Sequence, residues 1–257
     1  MEDPKYPLKT LSKSLLILET LAQPHSPTGI GELSRKLGIS RSTVHRILDT
    51  LRSRGYVEKD PSTLKYRLGS KILELAMAKL EDIELIKEAS LYLKELLKQC
   101  NETVHLAVLD RGEVLYLDKK ESAQAIRIVS RVGGRLPAHC TGLGKVLLAY
   151  SDRQTVKEII KEKGLHRFTK NTITNEAELI RELDKIREQG FAEDNEEIEE
   201  GLCCIAAPVR DHSGKVIAAI SVSGPKFRMV NKYKECKEAV IRTAEKISMQ
   251  LGYKCSK

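Results

Sequence analysis

The sequence predicts two joined folds, an N-terminal winged helix-turn-helix, mainly α with a β wing, and a C-terminal α+β domain with an antiparallel sheet. Three observations carry this. Two short helical patterns flank Gly38-Ile39-Ser40, a small hairpin pattern surrounds Asp60-Pro61-Ser62, and beyond Asn101 the helical period gives way to short strands, then helices, then strands again.

The first helix carries Leu11, Leu15, Leu18 and Ala22 at helical spacing and breaks at Pro24 to Pro27. Thr28 is placed to cap the second helix, whose apolar stripe is Ile30, Leu33 and Leu37. Gly38 ends that helix, because a glycine takes the left-handed conformation cheaply, and the Ser40 hydroxyl caps the third. The third helix repeats the stripe with Val44, Ile47, Leu48 and Leu51. Strand signals at Tyr56-Val57 and Lys65 to Leu68 flank the Asp60-Pro61-Ser62 turn, and the domain ends near Gly69.

The polar face of the third helix presents Arg41, Ser42, Thr43, His45, Arg46 and Arg52, the first of them near its N-terminus, where a recognition helix meets bases and phosphates. Arg41 and Arg46 suit the paired acceptors of guanine, whereas the hydroxyls of Ser42 and Thr43 suit phosphate oxygens or a thymine edge. Lys59, Lys65 and Arg67 make the wing basic. From Ser34 to Arg54 six basic residues face one acid, Asp49, a balance of +5 in a chain of net charge +8. Such a run alone also describes a solvated helix; combined with the turn, the stripe and the wing it points to double-stranded DNA.

At 257 residues the chain has room for a second domain. Its 41% hydrophobic and 31% charged residues are those of an ordinary soluble protein. The start, Met1-Glu2-Asp3-Pro4-Lys5, lacks the parts of a signal peptide, and no apolar run approaches the roughly 18 residues of a membrane span, so a cytoplasmic location is expected. The six cysteines are scattered without a C-x-x-C pair, and Cys203-Cys204 cannot chelate a metal alone, so reduced thiols and no metal or cofactor are expected.

Residues 70–82 read as a linker helix, with Ile72, Leu73, Ala76 and Leu80 on one face, and Ile86, Ala89, Leu93 and Leu97 continue the pattern into a domain covering 83–257. A helical connection of this kind can transmit movement, and it can equally be a spacer. Strands are expected over 104–109, 114–117, 126–129, 205–209 and 216–222, with helices over 142–149, 153–163 and 176–189 and a last one carrying Val240, Ala244, Ile247 and Leu251. Three features could meet in a pocket. Cys140-Thr141-Gly142-Leu143-Gly144-Lys145 opens a helix whose first amides attract anions, although Val146 stands where a nucleotide-binding loop has Ser or Thr. Ser221 and Ser223 share one strand face, which also fits an edge strand turned to water. The acidic run Glu193 to Glu197 reads on its own as a solvated loop.

Residues 38–46, 136–145, 194–204 and 218–225 together resemble the isocitrate-lyase-regulator (IclR) family of bacterial transcription factors, over nearly the whole chain. The resemblance implies a transcriptional regulator, more often a repressor, whose second domain is a GAF-like effector-binding fold. It also implies a homodimer or dimer of dimers on a pseudo-palindromic operator. Carried over by position, it assigns effector contacts to the amides of Gly142 and Leu143 and the side chains of Asp194, Cys204, Ser221 and Ser223. The implied effector is a small carboxylate: a keto acid, sugar acid or aromatic acid. A rival reading is a cysteine-dependent hydrolase or transferase fused to a DNA-binding module, using Cys204 or Cys140 with His139 or His105, although no signature of a nucleophile with its base accompanies them.

Overall fold

A computed structural model describes residues 8–23, 27–81, 84–126 and 130–254. The chain divides into two compact units, Met1–Ile83 and Glu84–Lys257. Among the described residues no helix is long and apolar enough to cross a membrane.

The first unit packs helices α1 (Lys9–Leu21), α2 (Ile30–Leu37) and α3 (Arg41–Ser53) against a hairpin of β1 (Val57–Lys59) and β2 (Tyr66–Leu68), with α4 (Ser70–Glu81) following. Ile17, Leu21, Leu33, Val44, Ile47, Leu48, Val57 and Tyr66 form its core. Gly38 closes α2 at φ 66°, and the Ser40 hydroxyl accepts from the Thr43 amide to open α3. Two expectations need correction. Leu11 and Leu15 are exposed, because α1 is rotated so that Ile17 and Leu21 face the core. Thr28 does not cap α2: Gly29 holds that position, while Thr28 exchanges two backbone hydrogen bonds with Tyr66 of the wing.

The second unit opens with α5 (Glu84–Cys100) and continues with β3 (Thr103–Asp110), β4 (Glu113–Lys120), β5 (Arg135–Pro137), α6 (Gly142–Ala149), α7 (Arg153–Lys163) and α8 (Glu176–Gln189). It then adds β6 (Ala192–Asn195), β7 (Leu202–Arg210), β8 (Val216–Pro225), the short α9 (Lys226–Met229) and α10 (Tyr233–Gln250). Of the strand expected over 126–129, residues 127–129 lie outside the described residues. All strands join one antiparallel sheet in the order β5-β4-β3-β8-β7-β6. Helices α5 and α10 pack on one face of this sheet and α6, backed by α8, on the other. The residues facing α6 are small, with Ala107, Ala206 and Ala219 in the buried cluster beneath it.

Two glycines let α6 settle onto the sheet. A Cβ on Gly144 would stand 2.2 Å from the Ala138 carbonyl oxygen, and one on Gly142 would meet Ala206 and Cys204 at 3.4 and 3.7 Å. The glycine-rich helix entry is therefore a packing requirement that brings the first amides of α6 down onto β6 and β7.

Candidate functional site

On α3 the structure exposes Arg41, Ser42, His45, Arg46 and Arg52 together. Thr43 differs: it is half-buried, and its hydroxyl joins Ser40 at 2.8 Å in the helix cap. His45 reaches Asp49 at 2.9 Å, and Arg52 lies 3.7 Å from the same carboxylate. Arg46 has no ion-pair partner among the described residues. On the wing, Lys65 is exposed, Lys59 lies half-buried over the Tyr66 ring, and Arg67 pairs with Glu58 at 3.1 Å. The Asp60 carboxylate accepts from the amides of Ser62 and Thr63 and so fixes the wing's turn. A rigid basic helix and a rigid basic hairpin thus belong to one unit, a geometry fit for a groove and its flanking phosphates.

In the second unit, strand register decides which side chains meet. Residues paired directly across neighbouring strands share a sheet face. Asp194 pairs with Cys204, Cys204 with Ser223 and Ser223 with Thr103, which makes one row across four strands. A second row runs from Ala206 through Ser221 and His105 to Lys119. Where these rows pass beneath the start of α6 lies a cavity of about 110 Å³, lined by Gly142, Leu143, Asp194, Cys204, Ser221 and Ser223. All six residues singled out by sequence reach it. Tyr116, Ser130, Leu136, Ile198 and Leu202 line it too and were not singled out by sequence, and so does His105, which the sequence offered only as a base for a cysteine nucleophile. For His105 a signal was present, since it is the polar residue between Val104 and Leu106 in an otherwise apolar strand.

Two sequence readings of this region are overturned. Asp194 is not in a solvated loop but on β6, 1% exposed, because β6 completes the sheet at α6. Ser221 and Ser223 are not on an edge strand, because β8 lies inside the sheet between β3 and β7.

The electrostatics follow from burial. Thr141 caps α6 by accepting from the Gly144 amide, and the first intrahelical bond runs from the Lys145 amide to the Thr141 carbonyl. The Gly142 and Leu143 amides therefore precede the helix ladder and carry its positive end. Burial pushes the Asp194 carboxyl up to about 7, although its Oδ1 accepts from the Glu197 amide at 2.8 Å, and its Oδ2 has no hydrogen-bond partner among the described residues. Glu197 is raised as well, chiefly by burial, and it pairs with the fully buried Lys145 ammonium. The Thr169 and Thr172 hydroxyls donate to the carbonyls of Glu196 and Glu197, both at 2.6 Å, which holds the 196–201 segment beside the cavity. His105 is held down to about 3 by burial; its Nε2 meets the Ser130 hydroxyl at 2.7 Å and its Nδ1 has no hydrogen-bond partner among the described residues.

This chemistry suits binding and not turnover. Burial pushes the Cys140 thiol up to about 12 and raises that of Cys204 well above the ordinary thiol range, so neither supplies a thiolate near neutrality. The Nε2 of His139 is engaged with the His166 carbonyl at 3.0 Å, and that of His105 with Ser130.

Residues 10–61 match the family described as IclR helix-turn-helix domain, and residues 77–249 match Bacterial transcriptional regulator IclR C-terminal. Among curated proteins, the chain is 43% identical to the HTH-type transcriptional regulator KdgR of Dickeya chrysanthemi over 238 residues, 92% of this chain and 78% of the relative. The crystal structure of Thermotoga maritima IclR superposes with a TM-score of 0.80 at 35% identity, covering 95% of this chain and 99% of that one. An IclR homolog from Microbacterium hydrocarbonoxydans, solved in complex with 4-hydroxybenzoate, gives 0.85 at 29% identity, covering 94% and 98%.

Proposed function

Since the chain belongs to the IclR family of bacterial transcriptional regulators, and is a DNA-binding regulator and not an enzyme, we propose that it is a repressor whose operator affinity is set by a small carboxylate metabolite. The observation that carries this reading is the convergence on one cavity of the α6 amides, Asp194, Cys204, Ser221 and Ser223. The amides hold the carboxylate, while the serine hydroxyls and Asp194 address the rest of a keto, sugar or aromatic acid. The 4-hydroxybenzoate complex of the Microbacterium homolog supports an acid as ligand class. The effector acts by binding one arrangement of a homodimer, or dimer of dimers, more tightly than another, so that the population competent for DNA changes. The dimer reads a pseudo-palindrome in the cytoplasm, with α3 in the major groove and Lys59, Lys65 and Arg67 on the backbone.

A thermal-shift screen of the protein against keto, sugar and aromatic acids tests this. An acid at 100 times its dissociation constant adds about 2.7 kcal/mol. The shift should vanish in an Asp194→Ala, Ser221→Ala double variant, and the same acid should release the protein from DNA selected out of its own genome. An acid that shifts the melting temperature without altering DNA retention overturns the regulatory step, and a panel without any shift overturns the ligand class.

A further inference from the structure

We propose that Cys100 and Cys236 form a redox-active pair in the second unit, in which a small hydroperoxide oxidises Cys236 and Cys100 then closes a disulfide onto it. Neither residue lines the effector cavity.

The fold brings the two sulfurs together from distant parts of the chain. Cys100 is the last residue of α5 and Cys236 stands near the start of α10, two helices packed against one another on the sheet face away from α6. The Cys100 thiol donates to the Cys236 sulfur, and both residues are buried. A thiol is a weak donor, and small apolar side chains would fill the same space. Packing alone therefore does not call for sulfur on both helices.

The surroundings make the pair unequal. Lys232, the residue before α10, places its ammonium 2.6 Å from the Cys100 carbonyl oxygen and 2.8 Å from the Glu102 carboxylate, beside both sulfurs. The hydrogen bond from Cys100 holds Cys236 below the ordinary thiol range, aided by Lys232 and opposed by burial, Glu235 and Glu102. The positive end of α10 acts in the same sense as Lys232. Cys100 is raised by that same bond and by burial, so the shared proton stays on it. Cys140, Cys203 and Cys204 are all raised, chiefly by burial, which leaves Cys236 as the one described cysteine shifted toward thiolate.

The chemistry follows from that asymmetry. The Cys236 thiolate attacks the peroxide: a sulfur–oxygen bond forms, the oxygen–oxygen bond breaks, and the departing alkoxide takes the Cys100 proton and leaves as an alcohol, or as water from hydrogen peroxide. Cys236 is now a sulfenic acid and Cys100 a thiolate. Cys100 attacks the Cys236 sulfur, the sulfur–sulfur bond forms, and hydroxide leaves and takes a proton from solvent to become water. Two thiol sulfurs are oxidised and one peroxide is reduced. Burial restricts the oxidant to hydrogen peroxide or a short alkyl hydroperoxide.

Reduced full-length protein exposed to hydrogen peroxide, quenched in acid, alkylated with N-ethylmaleimide in denaturant and digested for mass spectrometry tests this. We expect the Cys100 and Cys236 peptides joined, two hydrogens lighter than their sum and separated again by dithiothreitol, at least about tenfold above any joining of Cys140, Cys203 or Cys204. Cys100→Ser should stop at a Cys236 sulfenic acid that dimedone traps, and Cys236→Ser should leave Cys100 a thiol. No joined peptide, or joining spread evenly among the cysteines, overturns the pair. A sulfenic acid on Cys100 in Cys236→Ser overturns the assigned roles. If neither variant folds, dimedone added to wild type during the oxidation decides: label on Cys236 supports the order of events, and label on Cys100 overturns it.

Discussion

Replacing Asp194 with asparagine should change how the stability of the second unit depends on pH, and the size of the change follows from two buried groups. Asp194 is raised from 3.8 to about 7, so between these values the folded chain holds a proton that the unfolded chain has released. Its contribution is complete below pH 3.8 and is lost as pH rises through about 7, at about 1.4 kcal/mol per pH unit. His105 is lowered from 6.5 to about 3, so its contribution is present above 6.5 and is lost as pH falls toward 3, with the same slope and the opposite sign. Between pH 5 and 6.5 the two slopes oppose each other. Two charged groups near Asp194 are Glu197, raised by burial, and the Lys145 ammonium paired with it, and Asp194→Asn leaves both in place, while Tyr116, Cys140 and Cys204 beside it are raised and stay neutral over this range. Asparagine keeps the oxygen that accepts from the Glu197 amide and removes only the titration. The variant should therefore gain about 2 kcal/mol relative to wild type as pH rises from 5 to 6.5, or roughly 4 to 8 °C in melting temperature for a unit of this size. Differential scanning calorimetry at pH 5.0, 5.5, 6.0 and 6.5 reads this directly. A wild-type-to-variant difference that stays constant across that range refutes the reasoning.

Other perturbations have equally definite outcomes. Arg46→Ala should weaken binding to the specific DNA site by about 1 to 3 kcal/mol in fluorescence anisotropy, and unchanged affinity would remove α3 from the groove. For wild type, the logarithm of specific affinity should fall linearly with the logarithm of salt concentration, and Lys65→Ala should reduce that slope by about one, as befits a phosphate contact. Lys145→Met strips the buried Glu197 of its partner and should cost about 3 to 5 kcal/mol at pH 8, seen as a large drop in melting temperature; a mild effect would mean that Glu197 simply takes up a proton.

The helix-turn-helix was legible because its signals are local. Gly38 and Ser40 each fix one chain reversal or cap, and α3 carries its own stripe. Thr28 was misread for the opposite reason: its backbone partner, Tyr66, lies far along the chain, and a cap motif in the sequence cannot reveal a bridge to the wing. Leu11 and Leu15 misled because a leucine-rich helix offers more than one apolar face, and only its neighbours select which is buried. In the second unit the alternation within β8 correctly paired Ser221 with Ser223. Sequence could not show that β6 and β3 bring Asp194 and His105 to the same floor, since register across four strands is set by non-local pairing. The acidic run looked solvated because carboxylates usually are, and Asp194 departs from that norm where β6 closes the sheet.

The cavity divides its fixtures between two kinds of scaffold. Four of its hydrogen-bonding groups, His105, Ser221, Ser223 and Cys204, stand on interior strands, where any shift in register would disturb the whole sheet. Three of its apolar walls come instead from Leu136 on the edge strand, Leu143 on the first turn of α6, and Ile198 in the segment beyond β6. Shape can thus drift while chemistry is conserved. Saturation of those three wall positions should yield regulators that answer to acids of different bulk yet fold and bind DNA as before, which makes this scaffold a practical starting point for metabolite biosensors.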